Sequence, residues 1–292
     1  MRIYYTKMRK FIFLLFISFS ITVFSQSVAN KAVELIDQMI ETNKTVKTLS
    51  FNTIMRERIK GKMVDKNTFF KIQVSPRKVY LRQSFIGIKL EGLYLDGSNN
   101  NELLVSTIGF PWVEMSIDPR GKTARDKHHH TLLEAGFGYF ISVVSSLKVR
   151  NIEQYEKICA YQGLVEKDKR QCHKIIFDNP TFSYNYYEVK NGEQLPTIAN
   201  NLLVNDYMIL EKNSSISGYN DVKAGQKIIV PNSYAKKMLL YLDKDLFLPI
   251  AIEVYDDQGL YAEYLYSDLK VNPVFQSDEF SASFKGYKFK KK

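Results

Sequence analysis

Tyr187 to Asn213 reads YEVKNGEQLPTIANNLLVNDYMILEKN, and after a short loop Asp221 to Pro231 reads DVKAGQKIIVP. Tyr187 and Val189 alternate with Glu188 and Lys190, the pattern of a half-buried strand running into an Asn191-Gly192 turn. Pro196 stands where a helix starts and its missing N–H costs nothing. Leu195, Ile198, Ala199 and Leu202 then follow at helical spacing. Asn205 suits the N-cap of a second helix carrying Met208, Ile209 and Lys212, which ends at Asn213. Ala224-Gly225-Gln226 turns the chain into Ile228-Ile229-Val230, and Pro231 closes a second strand. The order strand, helix, helix, strand sets this stretch apart from everything around it.

In that register the stretch resembles a LysM module, the small glycan-binding unit of proteins that hold peptidoglycan or chitin. The resemblance implies a βααβ fold and a shallow sugar groove between the loop after the first strand and the loop after the second helix. Carried over by position, the groove would be Gly192, Glu193, Gln194 and Leu195 facing Asn213, Ser214, Ser215 and Ile216. Backbone amides and carbonyls suit an N-acetyl group, which offers one donor and one acceptor, and Leu195 and Ile216 would pack its methyl. The match departs from the family at two places. Glu193-Gln194 replaces the usual Asp followed by Ser or Thr, and Leu203 stands where Gly commonly closes the first helix. A Leu in a left-handed conformation is strained.

Working outward, residues 26–44 carry a helical stripe of Val28, Ala32, Leu35, Ile36, Met39 and Ile40. Strand-like runs are expected over 49–59, 67–74, 78–85, 89–95, 101–107 and 112–117, separated by Gly, Asp, Asn and Pro. Thr131-Leu132-Leu133-Glu134 has the form of a capping box opening a helix to about residue 147. After Asn151 the pattern returns to strands, and it resumes past the module over 236–242, 248–256 and 260–271. Tyr241-Leu242-Asp243, Leu248-Pro249-Ile250, Tyr255-Asp256-Asp257-Gln258-Gly259, Tyr264-Leu265-Tyr266, Val271-Asn272-Pro273 and Phe280 resemble the closing hairpins of the LolA-like half-barrel. That group of envelope proteins includes lipoprotein carriers and sensors, and the whole chain is similar to an uncharacterised envelope family with a LysM-like insert at this point. The implied fold class is α+β, an antiparallel curled sheet around helices with an inserted βααβ module. The implied function is a lipid, lipoprotein or protein partner held in the concavity.

The expected organisation is a signal peptide over 1–25, half-barrel over 26–185, LysM-like insert over 186–232, and closing hairpins with a basic tail over 233–292. Arg2, Lys7, Arg9 and Lys10 precede an apolar run from Phe11 to Phe24, with Val23-Phe24-Ser25 as the cleavage site. That run is shorter than the roughly 20 residues a span needs, so cleavage and a periplasmic or secreted product are expected. Without those four bases the chain keeps 37 Lys and Arg against 31 Asp and Glu, +6. Export points this charge at anionic wall polymers or lipid head groups and excludes nucleic acid. Phe284 to Lys292, FKGYKFKKK, is the place for such contact, or else a solvated terminus.

Cys159 and Cys172 flank a hairpin whose turn is centred near Asp168, which would set Cys172 opposite Leu164 and leaves a bridge open. Cys172 and His173 point to opposite faces of a strand and do not form a nucleophile and base. His128-His129-His130 holds three of the four histidines just before the Thr131 cap, in a turn where neighbours diverge; a structural or pH-responsive turn is expected ahead of metal ligation. No nucleophile elbow, phosphate loop or metalloprotease helix is present, so the expectation is a non-enzymatic binding protein with no cofactor. One reading tethers it to peptidoglycan or another N-acetylglucosamine glycan; the other is a lipid carrier whose module is structural or protein-binding. Oligomeric state is not legible.

Overall fold

The computed structural model describes residues 31–85, 87–150 and 152–290; the leader expected over 1–25 and the start of the helix expected over 26–44 lie outside them. Helix α1 covers 31–44 and buries the expected stripe of Ala32, Leu35, Ile36 and Met39 in the main core. The chain then winds six antiparallel strands: β1 (Thr48–Ile59), β2 (Lys62–Gln73), β3 (Lys78–Phe85), β4 (Ile88–Leu95), β5 (Leu103–Thr107) and β6 (Glu114–Ile117). Lys60 and Gly61, both at positive φ, make the two-residue turn that places Ile59 opposite Lys62. After a helical stretch come β7 (Cys159–Lys167) and β8 (Arg170–Asp178), a small separate pair β9 (Tyr184–Glu188) and β10 (Lys227–Pro231), and β11 (Lys237–Asp243), β12 (Pro249–Asp256) and β13 (Gly259–Val271).

Among the described residues eleven strands form one sheet in the order β6-β5-β4-β3-β2-β1-β13-β12-β11-β8-β7. Its edges, β6 and β7, do not pair, so the sheet curls without closing: the α+β half-barrel expected from the sequence. Bulges in the β1–β13, β11–β12, β12–β13 and β7–β8 pairings supply local bends. The period of two decides the faces. Leu49, Phe51, Thr53, Met55 and Glu57 of β1 point inward, and Asn52, Ile54 and Arg56 outward.

The inner face is covered by α2 (Lys122–Arg125), α3 (Gly138–Arg150) and α4 (Ile152–Ile158). Here the structure corrects the sequence reading. Thr131 caps only a 3-10 turn, 132–134, because Gly136 at φ +92 and the extended Ala135 interrupt the helix, which restarts at Gly138. Glu134 turns to His130 at 2.8 Å instead of closing a capping box. Residues 152–158, expected as strand, are helical because Tyr155 buries on one face while Glu153, Gln154 and Glu156 face solvent.

The β7–β8 turn is centred between Asp168 and Lys169, half a residue later than expected, so Cys172 faces Val165 and Cys159 faces Phe177. Both thiols are free and buried. The basic C-terminal stretch is not a loose tail. Tyr287 stacks on Tyr80 at 3.8 Å, Phe280 and Phe289 bury on the outer face of β3 and β4, and the Lys288 amide donates to Glu91 at 2.6 Å. Among the described residues no helix is long and apolar enough to cross a membrane.

Candidate functional site

The inner face and the segment 123–140 enclose a cavity of about 390 Å³. That volume lies within the roughly 300–1,000 Å³ of small-molecule sites. Its walls are apolar by strand parity: Phe51, Phe70, Leu81, Leu103, Val105, Ile252 and Tyr266 come from six strands. Gly92 belongs to the same wall, where a Cβ would stand 3.1 Å from Leu81 Cγ and 3.2 Å from Leu103 Cδ1. The lining residues Met115, Thr123 and Asp126 are exposed and mark the mouth, beside the edge strand β6.

One end of the cavity is ionic. Glu57 of β1 and Lys66 of β2 sit at inward positions, both almost wholly buried, and form an ion pair. Lys66 Nζ also donates to the Lys127 carbonyl and lies 3.3 Å from His128 Nδ1, so its three donors all have partners. Glu57 Oε1 accepts from Tyr264 at 2.8 Å and from the His129 amide at 3.3 Å. Burial alone would raise the Glu57 carboxyl; His129, Lys66 and His128 outweigh it and hold the group well below the usual carboxylate range. Burial, then Lys66, pushes His128 down to about 4, and burial pushes His129 down to about 4. Both imidazoles are therefore neutral at pH 7, and the Lys66 ammonium supplies the balancing charge there. Burial also lowers Lys66 itself. His130 is raised, because the Glu134 carboxylate overcomes the burial that would lower it.

The histidine triplet diverges as expected of a turn. His128 faces Lys66 and the cavity, while His129 is stacked between Tyr261 at 4.1 Å and Tyr207 at 4.6 Å. Tyr207 belongs to the smaller unit, in which β9 and β10 pair and enclose α5 (Leu195–Leu202) and α6 (Asp206–Lys212). The chain leaves the sheet after β8 and re-enters in the adjacent β11, where Asp178 pairs with Lys237. Asn205 caps α6 by accepting from the Met208 amide at 3.1 Å, and Leu203 ends α5 in the left-handed conformation.

The residues named for a sugar groove fall into two groups. Gly192, Gln194, Ser214 and Ser215 are exposed, and the two loops are tied together by the Leu195 amide donating to Tyr219 at 3.0 Å. Leu195 and Ile216 are core residues, 0% and 5% exposed. The Asn213 side chain is committed to Ile209 and Ile229, and Glu193 accepts from Tyr187 and the Lys190 amide at 2.9 Å. What these loops offer outward is therefore mainly backbone.

Residues 46–191 match the model of a family described as a protein of unknown function, DUF1571. That is half of the chain. It belongs to the DUF1571 family. No curated protein matches. Solved structures of similar fold include LprF from Mycobacterium bovis, at 10% identity and TM-score 0.44, covering 85% of this chain and 96% of LprF. The Mycobacterium tuberculosis lipoprotein LppX is similar at 11% identity and TM-score 0.37, covering 84% and 98%. MucB is similar at 11% identity and TM-score 0.38; the match covers 87% of this chain but only 64% of MucB. Such likenesses carry no ligand across. The DUF1571 match runs from the approach to β1 through β9, so it contains the Glu57–Lys66 pair and the histidine triplet but stops short of α5, α6 and β11–β13.

The pair Glu57–Lys66 is what sequence reasoning missed in this DUF1571 chain. Its signal was there: each is a charged residue at an inward parity position of a strand whose other inward residues are apolar or small.

Proposed function

We propose that this chain is a non-enzymatic envelope protein whose half-barrel takes an acyl lipid, or the acylated end of a lipoprotein, in its cavity. The observation that carries this reading is the cavity of about 390 Å³, walled by apolar side chains and closed at one end by a fully paired ion pair. Apolar walls favour hydrocarbon through the area they remove from water. All three Lys66 donors are taken and Glu57 is held by Lys66, the Tyr264 hydroxyl and the His129 amide, an arrangement that favours binding over catalysis. Export to the periplasm accords with this role. Organic extraction of the purified chain followed by mass spectrometry should yield acyl lipid, and the stripped protein should bind a fluorescent fatty-acyl probe. Absence of both extracted lipid and probe binding would refute the proposal.

A second function concerns the βααβ unit, which we read as a LysM-like module spanning 186–232 and tethering the chain to peptidoglycan. The support is the pair of exposed loops at Gly192–Gln194 and Ser214–Ser215, joined through the Leu195 amide and the Tyr219 carbonyl. The protein should pellet with purified peptidoglycan in competition with chitin oligomers. If it stays in the supernatant at low salt, the module is a structural or protein-binding unit and the carrier reading stands alone.

A further inference from the structure

The loop joining β5 to β6 exposes two neighbouring large aromatic side chains. Phe110 is 86% and Trp112 71% exposed, flanked by Val113 and Met115, with Ile88 at the neighbouring β3–β4 turn. Soluble monomers rarely present such residues together without a partner. The exposure is built into the loop and does not come from looseness. The Thr107 amide donates to the Val113 carbonyl at 2.9 Å, the Val113 amide donates to Thr107 Oγ1 and the Pro111 carbonyl at 2.9 Å, and Ile108 is pinned to the Lys89 carbonyl at 2.8 Å. Phe110 and Trp112 pack edge to face at 5.8 Å, so the two rings form one projecting tip.

Basic residues flank that tip. The Lys290 amide is held by Glu114 at 2.7 Å, directly after Val113, and the Lys288 amide by Glu91 at 2.6 Å on β4. Two carboxylates thus fasten the C-terminal stretch beside the tip through its backbone, and Lys285, Lys288 and Lys290 remain exposed, as does Lys89. None of these four lysines enters an ion pair among the described residues. Aromatic side chains that settle at a lipid interface, flanked by lysines, fit an anionic bilayer. The tip is also continuous with the cavity mouth: Leu90 and Met115 line the cavity and stand next to Lys89 and one residue beyond Glu114.

We propose that the β5–β6 tip, with the basic C-terminal stretch beside it, docks the mouth of the half-barrel on an anionic membrane surface. Its purpose rests on the lipid-binding reading above, since lipid passing the edge of β6 would move straight between cavity and bilayer. Its chemistry stands apart from that reading and is tested apart from it.

Trp112 is the single tryptophan of the chain, so its emission reports on the tip alone. With vesicles of phosphatidylcholine containing phosphatidylglycerol, Trp112 emission should shift to the blue, be quenched by brominated acyl chains, and revert with added salt. Phe110→Ser with Trp112→Ser should weaken co-sedimentation by roughly ten-fold or more. Lys89→Gln, Lys288→Gln and Lys290→Gln together should remove the preference for phosphatidylglycerol while leaving circular dichroism unchanged. Unshifted, unquenched Trp112 in the presence of these vesicles overturns the proposal, and so does equal sedimentation of the serine variant. Shielding of Trp112 by an envelope protein but not by vesicles overturns it in favour of protein docking. Acyl-probe binding without vesicles should survive in the serine variant. Its absence from the wild-type chain would sink the cavity reading while leaving membrane docking intact.

Discussion

Replacing Lys66 by Met tests the ionic end of the cavity. The Lys66 side chain is 0% exposed and Glu57 2%, so no solvent is at hand to take over from the lost ammonium. Glu57 would keep the Tyr264 hydroxyl at 2.8 Å and the His129 amide at 3.3 Å, two hydrogen bonds to a charge that had an ion pair as well. Breaking a buried pair from one side costs on the order of 3–5 kcal/mol at pH 7, because it strands a charge. Against a total stability of about 5–15 kcal/mol, that is a large fraction. Adding Glu57→Gln removes the stranded charge and keeps an acceptor for Tyr264 and His129. The double variant should therefore recover more than half of the loss.

Urea unfolding followed by circular dichroism measures both. The pH dependence gives a second readout. In the wild-type chain Glu57 is depressed, so its contribution is present above the ordinary carboxylate value of 4.5 and is lost as pH falls below it. Without Lys66, burial raises Glu57, so the penalty of the single variant should shrink as pH falls from 7 toward 5. A Lys66→Met protein within about 1 kcal/mol of wild type, or a double variant no better than the single, would refute the account.

Arg125→Ala removes a bidentate contact to Asp206, at 2.6 and 2.8 Å, that joins α2 to α6, and should cost about 3–5 kcal/mol and raise amide exchange across 184–231 ahead of the sheet. Imidazole NMR should show His129 titrating near 4 and His130 above 6.5. The unfolded chain protonates first at His129, so stability falls as pH drops from 6.5 toward 4; the His130 contribution is complete below 6.5 and fades as pH rises through its raised value. Thr53 Oγ1 is buried at the cavity wall without a hydrogen-bond partner among the described residues, so Thr53→Val should be neutral or stabilising by up to about 1 kcal/mol in thermal unfolding. Leu203→Gly should stabilise by up to about 1 kcal/mol by relieving its φ of 57, an effect that urea titration will show as a higher midpoint.

The half-barrel was legible because strand alternation is a local signal that survives in every hairpin. Features set by long-range geometry were harder to read. A two-residue turn at Asp168-Lys169 and a three-residue turn centred on Asp168 differ by one register step, and only the folded chain shows Cys172 beside Val165. Residues 152–158 are too short for periodicity to choose between helix and strand. The C-terminal lysines looked like a free tail because their spacing hides the anchors, Phe280, Tyr287 and Phe289, whose partners lie some two hundred residues earlier. The cavity was foreseeable only as an apolar concavity, since neither its volume nor its mouth follows from alternation. In the smaller unit the loops were placed by pattern, but that Leu195, Ile216 and Asn213 serve the core depends on packing.

The two candidate sites are not independent, because one short segment builds part of both. Between residues 123 and 130 the chain alternates its allegiance. Thr123, Asp126, Lys127 and His128 line the cavity, whereas Arg125 grips Asp206 and lies over the Tyr219 ring at 3.6 Å. His129 packs on Tyr207 yet gives its amide to Glu57, and His130 holds Glu134 at the cavity wall while standing 3.4 Å from Asn205, the cap of α6. A chain this short cannot shift on one side and stay in register on the other. Movement of the βααβ unit must therefore be resisted by the ion pair at the end of the cavity, and widening of the cavity must strain the seat of the unit. A load pulling on the unit and a ligand entering the half-barrel would act on the same few hydrogen bonds. For that reason Lys66→Met and Arg125→Ala should prove non-additive when combined, although among the described residues Lys66 and Asp206 share no hydrogen bond or ion pair.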